Sequence, residues 1–465
     1  MLRSLTFALS LLLVSLSTTV CTAAPPNIVV IIADDLGWMD LGFQGSTIYE
    51  TPNLDRLAEQ GMRFTDAYAS CPVCSPTRAS YLTGKTPARL RLTEYIPGMV
   101  LPHAEIIPPA SKQQLPLEET TLAEQLQAAG YTTVHIGKWH LGSRAFAPEK
   151  HGFNLNIGGS HLGMPPSYFA PYRLPNLSEG PKGEHLTDRL ANEAARVIEQ
   201  HRAGPFFVSL CFHAVHTPIQ GKPEYVAKYR EKMKTDKSQA DPTYAAMVQS
   251  LDDGVGRVLD QLEALGIADE TIVVFTSDNG GSHDGTSNAP LRAGKGHLYE
   301  GGIRIPLIVR WPGVVEPGGV SSEPVATIDL MPTLLAAAGA PPVDGVEGVD
   351  LSPVLKDADA TLAREALCWY YPHYSPQHGR PGGAIRRGRL KLIEFYDTGE
   401  FELYDLAADL SETHNLAPAR PAEAAQLRTR LHAWLDQVAA LPYRANPDYD
   451  PKNPRRGRHF KPRVP

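Results

Sequence analysis

The stretch Asn27-Ile28-Val29-Val30-Ile31-Ile32-Ala33-Asp34-Asp35 decides the fold class of this chain. Residues 28–33 are all apolar and lack the alternation that marks a strand with one solvated face. Such a run is typical of a strand buried on both faces, as in a parallel sheet that helices cover on each side. The two aspartates that follow it predict that polar side chains collect where the strand ends. We therefore expect an α/β fold.

Strand-like and helix-like segments alternate along most of the chain, and three of the four helical patterns are closed by a glycine. This order predicts a doubly wound, mainly parallel α/β sheet. The predicted strands are residues 27–33, 132–136, 205–213, 271–276 and 305–310. The predicted helices are residues 53–60, 120–129, 184–201 and 244–265.

The character of the sequence changes near residue 363. Short alternating segments at 384–387, 390–395 and 402–404 predict strands, and 421–438 predicts a final helix. A single core stops growing at about 250–300 residues, so a chain of this length is expected to form two domains. The predicted units are a catalytic domain, 25–362, and a smaller C-terminal α+β domain, 363–465, which ends in a basic tail.

The N-terminal residues 1–24 have the pattern of a signal peptide. Arg3 supplies the basic end, residues 5–16 the apolar stretch, and Thr22-Ala23-Ala24 the small residues before the cleavage site. A lipoprotein anchored through Cys21 is the alternative, although Val20 is larger than such sites usually accept. We expect an exported protein, periplasmic or secreted. No later segment approaches the ~20 apolar residues of a spanning helix, so no stable membrane span is expected.

Charge and cysteine content exclude two further classes. A net charge of −7 over 465 residues is too mild to indicate a nucleic-acid partner. Four cysteines remain after the predicted cleavage, which is too few for a disulfide scaffold. We interpret Cys71, Cys211 and Cys368 as structural residues.

Polar side chains follow four of the predicted strands. In open α/β sheets the ligand site lies beyond the carboxyl ends of the strands, so these side chains are expected to meet. Three carboxylates gathered there require a cation, and carboxylate and amide oxygens favour Ca²⁺, with Mg²⁺ as the alternative, over zinc. Taken singly, the aspartates could equally be helix caps or turn residues. The strand-end residues are Asp34, Asp35, Lys138, His140, His213, Asp278 and Asn279.

The run Cys74-Ser75-Pro76-Thr77-Arg78 carries the most chemistry. Ser75 and Pro76 predict a helix start, so Cys74 should face the positive end of the helix dipole, with Arg78 one turn later on the same face. A buried structural cysteine, or a C-x-x-C redox pair with Cys71, is the alternative.

This run resembles the C-x-P-x-R signature of the type I sulfatases, in the alkaline phosphatase superfamily. In that family a separate formylglycine-generating enzyme oxidises the cysteine to formylglycine, an aldehyde that hydrates to a diol. The resemblance extends to the strand-end residues and to Lys295 in Leu291-Arg292-Ala293-Gly294-Lys295-Gly296, and so covers nearly the whole mature chain. It implies an alkaline phosphatase-like sulfatase fold with Ca²⁺ held by Asp34, Asp35, Asp278, Asn279 and the modified Cys74.

The resemblance also implies hydrolysis of a sulfate ester, with release of inorganic sulfate. The modified Cys74 attacks sulfur with the help of Asp278, and Arg78 holds the nucleophile in place. Lys138 and Lys295 neutralise the sulfate oxygens, His213 protonates the leaving alcohol, and His140 takes the proton that leads to release of sulfate. The residues of these roles are Cys74, Arg78, Lys138, His140, His213, Asp278 and Lys295.

We expect the substrate to be a sulfated carbohydrate, because aromatic, histidine and arginine residues are placed in predicted loops. Its expected contacts are Lys138, His213, His216, Lys295, His373 and Arg380, with aromatic contacts from Tyr168, Phe169, Tyr172 and the run Trp369-Tyr370-Tyr371 in predicted loops. Ser160 is a weaker candidate for the serine that helps to bind the sulfate in the family that the chain resembles. Two alternatives remain open: a phosphate or phosphonate ester hydrolase of the same superfamily, and an inactive glycan-binding protein.

Overall fold

The computed structural model describes residues 25–236 and 240–453, together with the backbone of 458–459. An eight-stranded mixed sheet forms its centre, and one strand, Leu307–Arg310, runs antiparallel to its neighbours. The other strands run in one direction, which confirms the predicted mainly parallel sheet. In spatial order the strands are Gly319–Ser321, Met62–Phe64, Leu307–Arg310, Thr271–Ser277, Asn27–Ala33, Phe206–Cys211, Thr132–Gly137 and Leu155–Ile157.

The strand Asn27–Ala33 lies in the middle of this sheet and is buried along its whole length. Val29, Ile31 and Ala33 belong to one hydrophobic cluster, and Ile28, Val30 and Ile32 belong to the other. Alternate side chains of a strand point to opposite faces, so an apolar core on both sides explains why the sequence shows no alternation.

Helices cover both faces of the sheet, as expected for a doubly wound fold. One layer contains Pro52–Gln60, Leu186–His201, Pro223–Asp236 and Pro242–Ala264, and its apolar residues belong to the first cluster. The second cluster includes residues of Cys74–Thr83, Leu122–Ala128, Leu330–Ala337 and Ser352–Lys356. Two short helices, Pro87–Leu90 and Glu300–Ile303, lie between these elements in sequence.

The predicted helices are present, with small shifts at their ends. The helix Leu122–Ala128 starts later than predicted because Thr121 caps it, in a reciprocal pair with Glu124. The helix Pro223–Asp236 was not predicted, since its pattern is mostly polar.

The C-terminal α+β domain is built on a four-stranded antiparallel sheet. Its strands, in spatial and sequence order, are Leu367–Tyr371, Gly382–Arg387, Leu390–Phe395 and Phe401–Asp405, and the helix Pro421–Gln437 packs against it. The first of these strands was missed in the sequence, because its aromatic run was assigned to a loop. The buried Lys391 joins the domain to the larger one, since its Nζ lies 2.8 Å from Oε1 of Glu300.

Two sequence predictions lie outside the described residues, the signal peptide at 1–24 and most of the basic tail. The domain boundary near residue 363 stays a prediction. Among the residues that the structure describes, no helix has the length and apolar character needed to span a bilayer.

Candidate active site

Four neighbouring parallel strands bring the predicted polar residues to one edge of the sheet. Asp34, Lys138, His213 and Asp278 each lie one or two residues beyond the end of a strand. Backbone hydrogen bonds align these ends: the N–H of Asp278 donates to the carbonyl of Ala33 at 3.1 Å, and that of Lys138 donates to the carbonyl of Cys211 at 2.8 Å. The topology therefore collects these side chains, as the sequence predicted from strand ends alone.

Each of the three buried carboxylates has a basic partner. Lys138 Nζ lies 2.6 Å from Asp34 Oδ2, and Lys295 Nζ lies 2.7 Å from Asp35 Oδ1. The guanidinium of Arg78 binds Oδ2 of Asp278 at 2.8 Å. Buried charges are tolerated only when they are paired, so these pairs keep the ionised residues at the sheet edge.

The pKa values of the two neighbouring aspartates are shifted in opposite directions. Burial raises the pKa of Asp34 well above its ordinary value, and Lys138 offsets this only in part. Burial also opposes ionisation of Asp35, but Lys295 and His216 outweigh it and hold the pKa of Asp35 below its ordinary value. A cation bound beside Asp34 would reverse the first shift, because it favours the carboxylate form.

Two buried oxygen atoms at this edge, Asp34 Oδ1 and Asn279 Oδ1, have no hydrogen-bond partner among the described residues. An unsatisfied buried acceptor is costly, and a hard cation bound by oxygen would satisfy both. Asp34, Asp35 and His216 also offer ligand atoms that lie within 4.8 Å of one another. The residues present therefore fit a divalent cation such as Ca²⁺, held by Asp34, Asp35, Asp278 and Asn279.

His216 was predicted as a substrate contact, and the structure places it both in the cavity and beside the carboxylates. Its Nε2 lies 3.6 Å from Oδ2 of Asp35, inside the carboxylate cluster. Burial and the nearby Lys295 lower the pKa of His216 to about 3. The imidazole is therefore neutral near pH 7 and can offer a lone pair at the metal site.

Cys74 is the first residue of the helix Cys74–Thr83, with Val73 as the N-cap residue. The predicted cap, Ser75, is instead inside the helix, and its Oγ accepts a hydrogen bond from the N–H of Ile96 at 3.1 Å. Cys74 still lies at the positive end of the helix dipole, as predicted. Its side chain is 3 % exposed and reaches a cavity at the sheet edge.

Arg78 does not present its guanidinium to an incoming anion. Its Nε donates to Asp278 Oδ2 at 2.8 Å, and its Nη1 donates to the carbonyl of Lys138 at 2.9 Å. Arg78 therefore positions Asp278 and the strand end at Lys138. It was expected to hold the modified Cys74 directly.

His140 lies beside Cys74, with Nδ1 at 3.4 Å from the sulfur atom. Burial, with Lys138 nearby, lowers the pKa of His140 well below its ordinary value, so the ring is neutral. Its Nε2 lies 2.5 Å from the carbonyl oxygen of Ile96, which can only accept. Nε2 therefore carries the proton, and Nδ1 is free to accept one from the group at position 74.

His213 has two ring nitrogens without a hydrogen-bond partner among the described residues. Burial lowers its pKa well below the ordinary value, and Lys138 adds to this effect. The hydroxyl of the buried Tyr168 donates to the backbone carbonyls of His213 and His216, the latter at 2.9 Å. Tyr168 therefore positions the loop that carries both histidines, although the sequence suggested a sugar contact.

The cavity has a volume of about 310 Å³, and Asp35, Cys74, His140, His216 and Lys295 line its inner part. Its outer part contains residues that sequence reasoning missed, because they come from irregular loops with no motif. The apolar ones are Tyr95, Ile96, Pro97, Leu162, Met164 and Pro376. The polar ones are Thr217, Ser282, Asp284 and Gln377.

The residues that line this cavity do not include four predicted substrate contacts: Lys138, His213, His373 and Arg380. Lys138 and His213 are buried at the sheet edge. His373 is 3 % exposed, and its Nε2 lies 2.8 Å from Thr93 Oγ1, so it is used in packing. Arg380 pairs with Asp397, with Nη2 at 2.7 Å from Oδ1. The C-terminal domain does reach the cavity, but through Gln377 and its neighbour Pro376.

The remaining predicted contacts, the aromatic residues for the sugar and Ser160 for the sulfate, are also elsewhere. Tyr172 is buried, and its hydroxyl donates to Oε2 of Glu184. Phe169 packs edge to face on His185 rather than in the cavity. The hydroxyl of Ser160 accepts from the N–H of Leu162 at 3.3 Å, and Ser160 is not among the residues that line the cavity.

Comparisons with known proteins identify matching family models and similar relatives. A family model described as Sulfatase matches residues 26–340, and a second, described as N-sulphoglucosamine sulphohydrolase, C-terminal, matches residues 293–440. Arylsulfatase A of Homo sapiens is 36% identical over 87% of this chain and 86% of its own length. N-acetylgalactosamine-6-sulfatase of Mus musculus is 37% identical over 71% of this chain and 66% of its own length.

Solved structures are similar as well. The crystal structure of Ps i-CgsB in complex with k-i-k-neocarrahexaose superposes with a TM-score of 0.76. It shares 29% sequence identity with this chain and covers 91% of it and 94% of its own chain.

Proposed function

The chain belongs to the sulfatase family and is a sulfuric ester hydrolase, and we propose that it removes sulfate from a sugar by means of formylglycine at position 74 and Ca²⁺. One observation carries the proposal. Cys74 opens into the cavity that Asp35, His216 and Lys295 also line, next to two buried oxygens that have no hydrogen-bond partner in the described part of the chain. A nucleophile, a candidate cation site and an anion-binding lysine therefore lie together at the inner part of one cavity.

When bound, the cation supplies positive charge that polarises the sulfate oxygens and the nucleophile. Lys295 Nζ, at the cavity floor, binds a sulfate oxygen and lowers the cost of the charge that develops there. Lys138 is fully buried and acts from below by keeping Asp34 in place.

The two histidines divide the proton transfers. His140 Nδ1 faces position 74 as a neutral acceptor, so it can take the proton of the group attached there. His213, whose ring nitrogens have no hydrogen-bond partner among the described residues, is the candidate to assist the leaving oxygen, and as a neutral imidazole it would do so through its ring N–H. Arg78 orients Asp278 for its role beside the nucleophile.

A sugar substrate is supported by the outer cavity and by the relatives. Tyr95 and the aliphatic side chains suit the apolar face of a sugar ring, and Thr217, Ser282 and Gln377 suit its hydroxyls. The name of one relative, N-acetylgalactosamine-6-sulfatase, specifies a sugar, and one similar crystal structure is a complex with k-i-k-neocarrahexaose.

The test is a panel of sulfated mono- and oligosaccharides, with sulfate release measured by ion chromatography. Mass spectrometry first establishes formylglycine, which makes the peptide of Cys74 about 18 Da lighter than the cysteine form. We expect turnover of at least one saccharide by the modified enzyme and no turnover by Cys74→Ala. Cys368→Ser, a matched cysteine variant outside the cavity, should keep its activity.

Full activity with an unmodified thiol would contradict the role of formylglycine. Higher catalytic efficiency on a phenyl phosphate than on the matching phenyl sulfate would contradict the assignment of sulfate as the natural group.

We also propose that the protein is exported after removal of residues 1–24 and that a formylglycine-generating enzyme matures it. The N-terminal basic and apolar pattern supports export. N-terminal sequencing of protein from the periplasm or medium should begin near Pro25, and an intact Met1 there would contradict the cleavage.

A further inference from the structure

We propose that the outer cavity selects a sugar carrying a single sulfate, with Asp284 as the residue that rejects a second one. The inference rests on the proposed function, because it assumes that the cavity holds a sulfate ester. It specifies the substrate further, as a singly sulfated unit with free hydroxyls beside the reacting group.

The basic residues of the site already form ion pairs with its carboxylates. Among the described residues that line the cavity, Lys295 is the one lysine or arginine, and its Nζ lies 2.7 Å from Asp35. Lys138 and Arg78 are almost fully buried below the cavity. Within the part of the chain that the structure describes, no further lysine or arginine reaches the outer cavity to bind a second sulfate.

The outer cavity instead contains a carboxylate. Asp284 is exposed and lines the cavity, on the loop that follows Asn279, where its N–H donates to Ser282 Oγ at 3.4 Å. A carboxylate accepts hydrogen bonds from hydroxyls but repels a second anion. Thr217 and Gln377 add neutral polar groups to the lining of the same cavity. This chemistry fits hydroxyls and excludes sulfate.

The size of the cavity makes the repulsion effective. At about 310 Å³ the cavity lies at the small end of ligand sites, so a bound sugar unit would fill much of it and bring its substituents near the lining residues, Asp284 among them. Specificity then comes from an unfavourable contact with the wrong ligand, which is a common means of discrimination.

Catechol monosulfate and catechol bis-sulfate test this without knowledge of the natural sugar. They differ in one position, a hydroxyl or a second sulfate beside the reacting group. For the wild-type enzyme we expect kcat/KM to be about tenfold higher on the monosulfate. Raising the ionic strength should narrow this ratio, because salt screens an exposed carboxylate.

Asp284→Asn is nearly isosteric and removes the charge, so the preference for the monosulfate should fall to about threefold or less. Asp284→Lys should abolish or reverse the preference. Asp269→Asn, at an aspartate that is 96% exposed and outside the cavity, should keep the wild-type ratio. Comparing the kcat/KM ratio of each variant with that of wild type cancels the difference in intrinsic reactivity between the two esters.

A wild-type ratio near one, or a ratio that neither Asp284 variant changes, would overturn the selectivity while leaving the sulfatase function intact. Failure to turn over the monosulfate or any other sulfate ester would instead overturn the proposed function itself. Thermal melting of each variant shows whether it is folded, which is expected because Asp284 is exposed.

Discussion

The sulfur of Cys74 lies 3.4 Å from Nδ1 of His140, whose opposite nitrogen is bound to the carbonyl oxygen of Ile96. The carbonyl determines which nitrogen carries the proton, and so makes Nδ1 the acceptor towards position 74. A backbone atom from a loop without any recognisable motif therefore determines the protonation of a catalytic candidate.

From this contact we expect His140→Ala to lower kcat by about 10²–10⁴, the usual contribution of a general acid or base. KM should change much less, because the sulfate contacts of Lys295 remain. Steady-state kinetics on an aryl sulfate provides the measurement. His414→Ala, at an imidazole that is 84% exposed, is the control and should leave kcat unchanged. An active His140→Ala enzyme would remove this histidine from the mechanism.

Chelation should lower activity and thermal stability together. A cation that binds only the folded protein adds about 2.7 kcal/mol to the free energy of unfolding at a concentration of 100 Kd. Asn279→Ala removes one buried oxygen ligand and should raise the Ca²⁺ concentration needed to recover Tm. Asn192→Ala, at an exposed asparagine, is the control. A Tm that does not respond to chelation in wild-type protein that elemental analysis shows to be metal-free afterwards would contradict the site.

The buried Glu94 should make stability depend on pH. Burial raises its pKa to about 8 from an ordinary value of 4.5, and the N–H of Met99 offsets this only in part. Folding therefore favours the protonated acid. This contribution to the free energy of unfolding is fully present below pH 4.5 and is lost as pH rises through 8.

Glu94→Gln keeps the neutral shape and should lose less stability than wild type between pH 5 and pH 8.5. The difference should reach the order of a few kcal/mol, since one pKa unit corresponds to about 1.4 kcal/mol. Urea denaturation at both pH values measures it. His373 faces Glu94 at 3.3 Å, but burial lowers the pKa of His373 to about 3, so the folded imidazole stays neutral between pH 5 and pH 8.5. Glu118→Gln, at an exposed site, is the control, and parallel pH curves for wild type and Glu94→Gln would contradict the prediction.

Gln377, rather than Arg380, should contact the sugar. Gln377→Ala is expected to lower kcat/KM on a sulfated saccharide by about five- to tenfold, the range of one lost hydrogen bond, and to change an aryl sulfate much less. Arg380→Ala, in the same segment but paired with Asp397, should affect both substrates equally and weakly. Comparable losses on both substrates for Gln377→Ala would assign Gln377 to structure.

Much of the fold could be predicted because its signals are local. The apolar run 28–33 needs a core on both faces, and Thr121 with Glu124 forms the cap that its spacing suggests. The strand Leu367–Tyr371 was missed for the opposite reason. Its aromatic residues suit a loop or a strand equally, and the pairing with Gly382–Arg387 decides between them.

The gathering of the polar strand-end residues was also predictable, because strand ends of a parallel sheet meet at one edge whatever the details of packing. The loop residues that line the outer cavity were not predictable. His373 and Tyr168 are buried, whereas Pro97, Asp284 and Gln377 reach the cavity, and no spacing in the sequence distinguishes the two groups.

The sequence by itself determined the fold class, the sulfatase family and the polar residues that gather at the sheet edge, because these depend on periodicity and on short motifs. Only the tertiary structure decided which partner each charge has and which loop residues surround the substrate. Arg78 binds Asp278 instead of facing the anion, and His216 joins the carboxylates, since residues far apart in the chain became neighbours on folding. Burial then set the protonation of His140 and Glu94, which a sequence does not contain.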